Sequence, residues 1–186
     1  MKFSSLLLLA LVVAFQINAA EYDLGVHGTL SLDASSEWKI SSRAAERPDG
    51  TTIGYSLLIQ PTGKAHASCL LTLAYVTNKF TPAELRERLL KACDAFVDSS
   101  VEKTKNLKEF ALKHGYGAYC AFTDASLVGK PPQTGDEYKV MASGMIQLDS
   151  DALVVVSIVY DDPDGPEFKS LLQAVNSLEI KMRKGS

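Results

Sequence analysis

Apolar and polar positions alternate along much of the chain. In YDLGVHGTLSLD (22–33), Leu24, Val26, Gly28, Leu30 and Leu32 fall on one side, the period-2 pattern of a half-buried strand. Trp38 and Ile40 follow in EWKISS. Pro48-Asp49-Gly50 then supplies a tight reversal. TIGYSLLIQP (52–61) and ASCLLTLAYV (67–76) read as two further strands, joined by TGKAH as an antiparallel hairpin. YGAYCAFTDASL (116–127) reads as a strand, and YKVMASGMIQLD (138–149) sets Tyr138, Val140, Ala142, Gly144, Ile146 and Leu148 on one face. ALVVVSIVYDD (152–162) is apolar on both faces, which predicts a central strand covered on both sides. LDSDA between the last two strands is a short hairpin turn.

Two segments change to helical spacing. FTPAELRERLLKACDAFV carries Thr81 at the N-cap, Pro82 at the first helical position and Glu84 three residues after the cap, a capping box with proline at its start. Leu85, Leu89, Ala92, Cys93 and Phe96 then form one apolar face. Glu84–Arg88 and Glu87–Lys91 are i,i+4 pairs on the other side, each worth only ~0.2–0.5 kcal/mol. In DDPDGPEFKSLLQAVNSLEI, Asp164 or Gly165 caps a second helix that Pro166 begins, with Phe168, Leu171, Leu172, Val175 and Leu178 as its apolar face. SVEKTKNLKEFALKHG (100–115) fits either a polar edge strand, protected by its lysines, or a helical extension. GKPPQTGDE (129–137) is an exposed loop.

Strands therefore dominate, interrupted by one mid-chain helix and closed by another. This predicts an α+β fold, an antiparallel β-sheet covered by helices with α/β/α layering. A hydrophobic content of 46% is enough for a sizeable core.

The opening MKFSSLLLLALVVAFQINAAEYDLG reads differently. Lys2 precedes an unbroken apolar run from Leu6 to Phe15, and Ala19 and Ala20 supply small residues after it. This is the layout of a secretory signal peptide over residues 1–19, with cleavage after Ala19 or after Ala20. The run is shorter than the ~20 residues of a membrane span; an uncleaved anchor is the plainer alternative. A single domain over residues 20–180 and a basic tail over 181–186 follow. The expected location is periplasmic or secreted, with no stable membrane insertion once the leader is removed. Net charge is −3 and no basic stripe occurs, so nucleic-acid binding is not expected.

The order of elements resembles the Mog1/PsbP-like fold. The matching features are a first strand followed by tryptophan (GTLSLDASSEWKI), two strands before a TPAEL helix and the Gly-rich strand HGYGAYCAFT. A long hairpin, YKVMASGMIQLDSDALVVVSIVY, and a last helix ending in SLEI complete the match. It spans roughly residues 22–180 and rests on pattern and order, without a short diagnostic motif. It implies a largely non-enzymatic class, including photosystem-associated lumenal proteins, a small-GTPase-binding protein, bacterial envelope proteins and some immunity proteins. A fold of this kind does not select among functions.

Candidate chemistry is sparse. No G-x-S-x-G nucleophile elbow occurs. Cys69 lies three residues after His66 and Cys120 six after His114, but these cysteines sit inside apolar strands, where buried thiols are usually inert. The acids of DDPDGPE, Asp161, Asp162, Asp164 and Glu167, lack calcium-loop spacing and suit a helix N-terminus. No catalytic, cofactor or metal site is expected. Lys130, Pro131 and Pro132 in the exposed loop, with Asp161, Asp162 and Asp164, are candidate partner contacts. An exported location permits disulfides. Cys93 and Cys120 could join helix to sheet, leaving the third cysteine as a buried thiol or an intermolecular partner.

The expected function is that of an exported, non-enzymatic protein-binding domain. An immunity protein neutralising a secreted antibacterial toxin or lytic enzyme is the first reading, its acidic charge suiting a basic partner. The alternatives are an envelope housekeeping or assembly factor of the same fold, and an enzyme with a dispersed site.

Overall fold

The computed structural model describes residues 17–131, 135, 137–149 and 151–181. Residues 1–16 of the expected leader, 182–186 of the expected tail, Pro132 and Ser150 lie outside them.

The described residues form an α+β fold with two antiparallel sheets and three helices. The strands are β1 (Ile17–Asp23), β2 (Thr29–Ser35), β3 (Trp38–Glu46), β4 (Thr52–Pro61), β5 (Ala67–Tyr75), β6 (Leu107–Glu109), β7 (Tyr116–Thr123), β8 (Val140–Gln147), β9 (Ala152–Tyr160) and β10 (Glu179–Lys181). The helices are α1 (Pro82–Ala92), α2 (Asp94–Val97) and α3 (Pro166–Asn176). Seven strands make the larger sheet in the order β3-β4-β5-β9-β8-β7-β6, and three make the smaller in the order β1-β2-β10.

The first departure from the sequence pattern is in residues 22–33. They are two strands rather than one: a 3₁₀ turn at Gly25–His27 reverses the chain, and β1 pairs antiparallel with β2. Gly25 (φ 65°) and Gly28 (φ 97°) adopt left-handed backbone, which glycine accommodates without a Cβ clash. Val26, expected on the buried side, is 89% exposed. Both expected cleavage positions fall within β1, with Ala19 opposite Asp33 and Ala20 opposite Leu32. The short β10 follows α3, with Ile180 opposite Leu30, and was not evident from the pattern.

Cross-strand partners in an antiparallel ladder share a face, so the register sorts the larger sheet into two sides. On one side lie Leu57, Ile59, Cys69, Leu71, Leu73, Val154, Val156, Ile158, Ala142 and Ile146. They form the main core with Leu30 and Leu32 of the smaller sheet and Phe168, Leu171, Ala174 and Val175 of α3. On the other side, Ala118, Cys120 and Phe122 of β7 pack with Leu89 and Cys93 in a smaller cluster.

α1 begins as its sequence dictates. The Thr81 hydroxyl accepts from the Glu84 amide, and the Glu84 carboxylate accepts from the Thr81 amide at 2.7 Å. Arg88 lies over the Phe80 ring, 4.3 Å from its centroid. Ala92, assigned to the apolar face, is exposed, and the helix breaks at Cys93 before α2. Segment 100–115 resolves as the short edge strand β6 against β7. β9 is central, as expected, but only one of its faces is fully buried. Val155 on the other is 37% exposed.

Candidate functional site

That incomplete cover leaves an unpartnered surface among the described residues. An α-helix is ~10 Å across, and strands lie ~4.8 Å apart, so one helix shields about two strands. α1 packs chiefly on β7 and β8, which leaves β4, β5 and part of β9 uncovered on that side. The register lines up Leu58–Leu70–Ser157 and Ser56–Thr72–Val155 as neighbouring rows. Leu70 is 41% exposed, and Thr72 and Ala74 are also exposed. Where the bare strands meet α1 there is a hollow of about 340 Å³ lined by Phe80, Arg88, Lys91, Ala92, Met145 and Leu153.

Basic residues stand at both margins of this face. Lys39 and Arg43 of β3 stand at its outer edge, in the rows of Gln60 and Ser56, on the same side as Leu58. Arg88 and Lys91 of α1 border it at the hollow. The strand positions between carry no acid; on α1, Glu84 and Glu87 stand one turn before Arg88 and Lys91. The result is an apolar strip with basic residues at both margins, suited to an apolar surface edged with carboxylates.

The larger cavity, of about 760 Å³, lies on the opposite side of the sheet, where Asp33, Ser35 and Glu37 face Lys169, Ser170 and Lys113. Trp38 donates its indole N–H to the Ser170 hydroxyl at 2.9 Å. The Ser177 hydroxyl accepts from the Asp33 amide at 2.8 Å. The buried Ser35 hydroxyl has no hydrogen-bond partner among the described residues. Opposite charges line this groove, so it presents no single sign to a ligand.

The residues singled out from sequence are placed as follows. Lys130 and Pro131 are exposed, and the Lys130 carbonyl accepts from Lys139 Nζ at 2.9 Å. Pro132 lies outside the described residues. Asp161 is half-buried: one carboxylate oxygen meets His66 Nδ1 at 2.7 Å and the other accepts from the Lys139 amide at 3.0 Å. His66 also stacks on Tyr138, with centroids 4.3 Å apart. Asp161 thus ties the β4–β5 turn to the approach of β8 rather than presenting a free carboxylate. Asp162 and Asp164 are exposed; the Asp162 carboxylate accepts from the Asp164 amide at 2.9 Å, and the Asp164 carbonyl accepts from Lys169 Nζ at 2.7 Å. These loops do not adjoin the bare sheet face through any of these contacts.

All three cysteines are buried and free. Burial raises the Cys93 thiol to about 12, with the neighbouring Cys120 adding to the shift, and burial likewise raises Cys69 and Cys120. Thiols held protonated in this way are poor nucleophiles. Among the described residues no group of three or more His, Cys, Asp or Glu side chains could hold a metal ion, and no helix is long and apolar enough to cross a membrane.

The bare face was missed in the sequence because its residues look like core. Leu70 and Val155 sit in runs that are apolar on both phases, which reads as a strand covered twice. The signals were Ser68 and Thr72 in β5 and Ser157 in β9, polar residues interrupting the outward phase. No family model, curated protein or solved structure matches this chain.

Proposed function

We propose that this chain is an exported, non-enzymatic protein-binding domain that docks a partner on the bare half of its larger sheet. The observation that carries the reading is the apolar strip around Leu70 and Val155, bordered by Lys39, Arg43, Arg88 and Lys91. A surface of this kind gains affinity from apolar burial, ~25 cal/mol per Å², and association rate from its charged margin. The partner proposed is a secreted antibacterial toxin or lytic enzyme, which places the chain in the immunity class. Net charge alone favours a basic partner. The local field at the strip is basic, and contact is governed by charges within about a Debye length, ~8 Å at physiological salt. The docking face of the partner is therefore acidic and apolar.

The fold assignment belongs to the same proposal. α1 and α3 pack on opposite sides of a central antiparallel sheet, an arrangement that supports an α/β/α sandwich of the Mog1/PsbP-like kind. The small sheet beside α3 is an addition that the resemblance did not include.

Titration calorimetry against the secreted product of the neighbouring gene tests the function. Tight binding that inhibits the product, weakened more than 100-fold by Leu70→Asp and by Val155→Asp with the melting temperature little changed, is the expected result. Inhibition unaffected by both substitutions would move the docking site elsewhere. No binding to any adjacent secreted product would overturn the immunity reading.

A further inference from the structure

We infer that Cys93 and Cys120 close an intramolecular disulfide when the chain folds under oxidising conditions, while Cys69 remains a thiol. The placement of the three sulfurs carries this. Cys69 faces the main core, in register with Ile59 and Ile158. Cys93 and Cys120 lie in the cluster on the other side of the sheet, with Leu89, Ala118 and Phe122. The sheet separates Cys69 from both. Within that cluster both cysteine side chains are fully buried, and Cys120 and Ser143 are the polar neighbours of the Cys93 thiol. Ser143 is the cross-strand partner of Cys120, so the neighbours of the Cys93 thiol come from adjacent positions of β7 and β8.

Cys93 is also where the helical backbone changes course, as the C-cap of α1 and the residue before α2. A bond there fixes the junction of two helices to β7. The cluster beneath α1 is small, and α1 contributes Leu89 and Cys93 to its buried members. A covalent link there adds to the apolar packing that holds α1 and its C-cap on β7. α1 also forms one wall of the bare face, through Arg88, Lys91 and Ala92.

The oxidant is a small-molecule or protein disulfide. The thiolate of one cysteine attacks an oxidant sulfur, forming a mixed disulfide and releasing the other oxidant sulfur as a thiolate. The thiolate of the second cysteine then attacks the protein sulfur of that mixed disulfide and displaces the remaining oxidant sulfur. Two electrons pass to the oxidant, and the two cysteine protons end on its two thiols. Because both sulfurs are fully buried in the folded chain, the exchange takes place while the cluster is still open.

The inference rests on side-chain placement and is independent of the partner reading. To test it, the full chain is refolded in a glutathione buffer containing its oxidised form, and thiols are counted after alkylation in denaturant. One titratable thiol is expected, with a Cys93–Cys120 cross-linked peptide in the non-reducing map. Cys69→Ser should then leave none. The oxidised form should melt about 10 °C above the reduced form, the effect of closing a loop of this length. Three titratable thiols after oxidative refolding, or a cross-link containing Cys69, would overturn the inference. Cys93→Ser and Cys120→Ser provide the second arm: each should leave two thiols and melt at the same temperature with or without reductant.

Discussion

Trp38 and Ser170 meet across 132 positions of sequence, the indole N–H of the first strand in the larger sheet donating to a hydroxyl of α3 at 2.9 Å. Trp38 is buried, so its N–H needs a partner inside the protein. The pair joins the outer strand β3 to the helix that covers the main core. Trp38→Phe retains much of the apolar area and loses the hydrogen bond, and should cost about 1 kcal/mol in urea unfolding. Trp38→Ala removes the ring as well and should cost about 3–5 kcal/mol. Equal costs for the two would mean that the hydrogen bond, not the ring, secures β3.

The α1 cap gives a second measurable effect. Thr81 satisfies the Glu84 amide, and Glu84 returns the bond to the Thr81 amide. Thr81→Ala should lower stability by about 1 kcal/mol, while Thr81→Ser, which keeps the hydroxyl, should lower it by less. If alanine and serine behave alike, the cap is not limiting.

Acid should destabilise the fold, and the sign follows from the carboxylates. Burial pushes the Glu102 carboxyl upward, but the Thr123 amide and hydroxyl, both at 2.8 Å, outweigh it and hold it below its ordinary value. Hydrogen bonds from Thr81, Thr51 and Ser126 lower Glu84, Asp49 and Asp124 in the same direction. A carboxyl lowered by folding contributes stability that is complete above its unfolded value, roughly 4, and is lost as pH falls through its folded value. The urea midpoint should therefore drop between about pH 5 and about pH 3, and Glu102→Gln should flatten part of that drop. A midpoint that stays level or climbs on acidification would contradict the assignment.

Gly144 lies under an aromatic ring. A Cβ at this position would come within 2.8 Å of two Phe110 ring carbons and 3.0 Å of the Ala118 carbonyl oxygen. Phe110 in turn packs on Tyr119, with centroids 4.9 Å apart, and Tyr119 meets Phe168 edge-on. Gly144→Ala must displace this stack and should cost about 1–3 kcal/mol, the usual range for overpacking. Near-UV circular dichroism of the variant should change with it. An alanine that is neutral in both measurements would show that Phe110 moves freely.

What the sequence determined by itself is whatever depends on neighbours along the chain. The PDG turn forms, with Gly50 at φ 81°. The Thr81–Pro82–Glu84 start of α1 and the Gly165–Pro166 start of α3 fall where residue chemistry puts them. The β4–β5 and β8–β9 hairpins follow from alternation and short turns. Alternation also identified one face of β8 and its continuation, where Val140, Ala142, Gly144, Ile146 and Leu148 are all buried, while Tyr138, placed on the same face, lies before the strand and is half-buried. Tertiary structure decided what depends on distant partners. Period 2 cannot distinguish one strand from two joined at a glycine turn, so β1 and β2 merged in the pattern. An apolar outward phase does not say whether a helix arrives to cover it. Leu70 and Val155 were consequently indistinguishable from core until α1 settled chiefly over β7 and β8. Cysteine spacing places no sulfur relative to another, because the side of the sheet each one faces depends on register. Only the folded sheet put Cys69 on one side and brought Cys93 to Cys120 on the other.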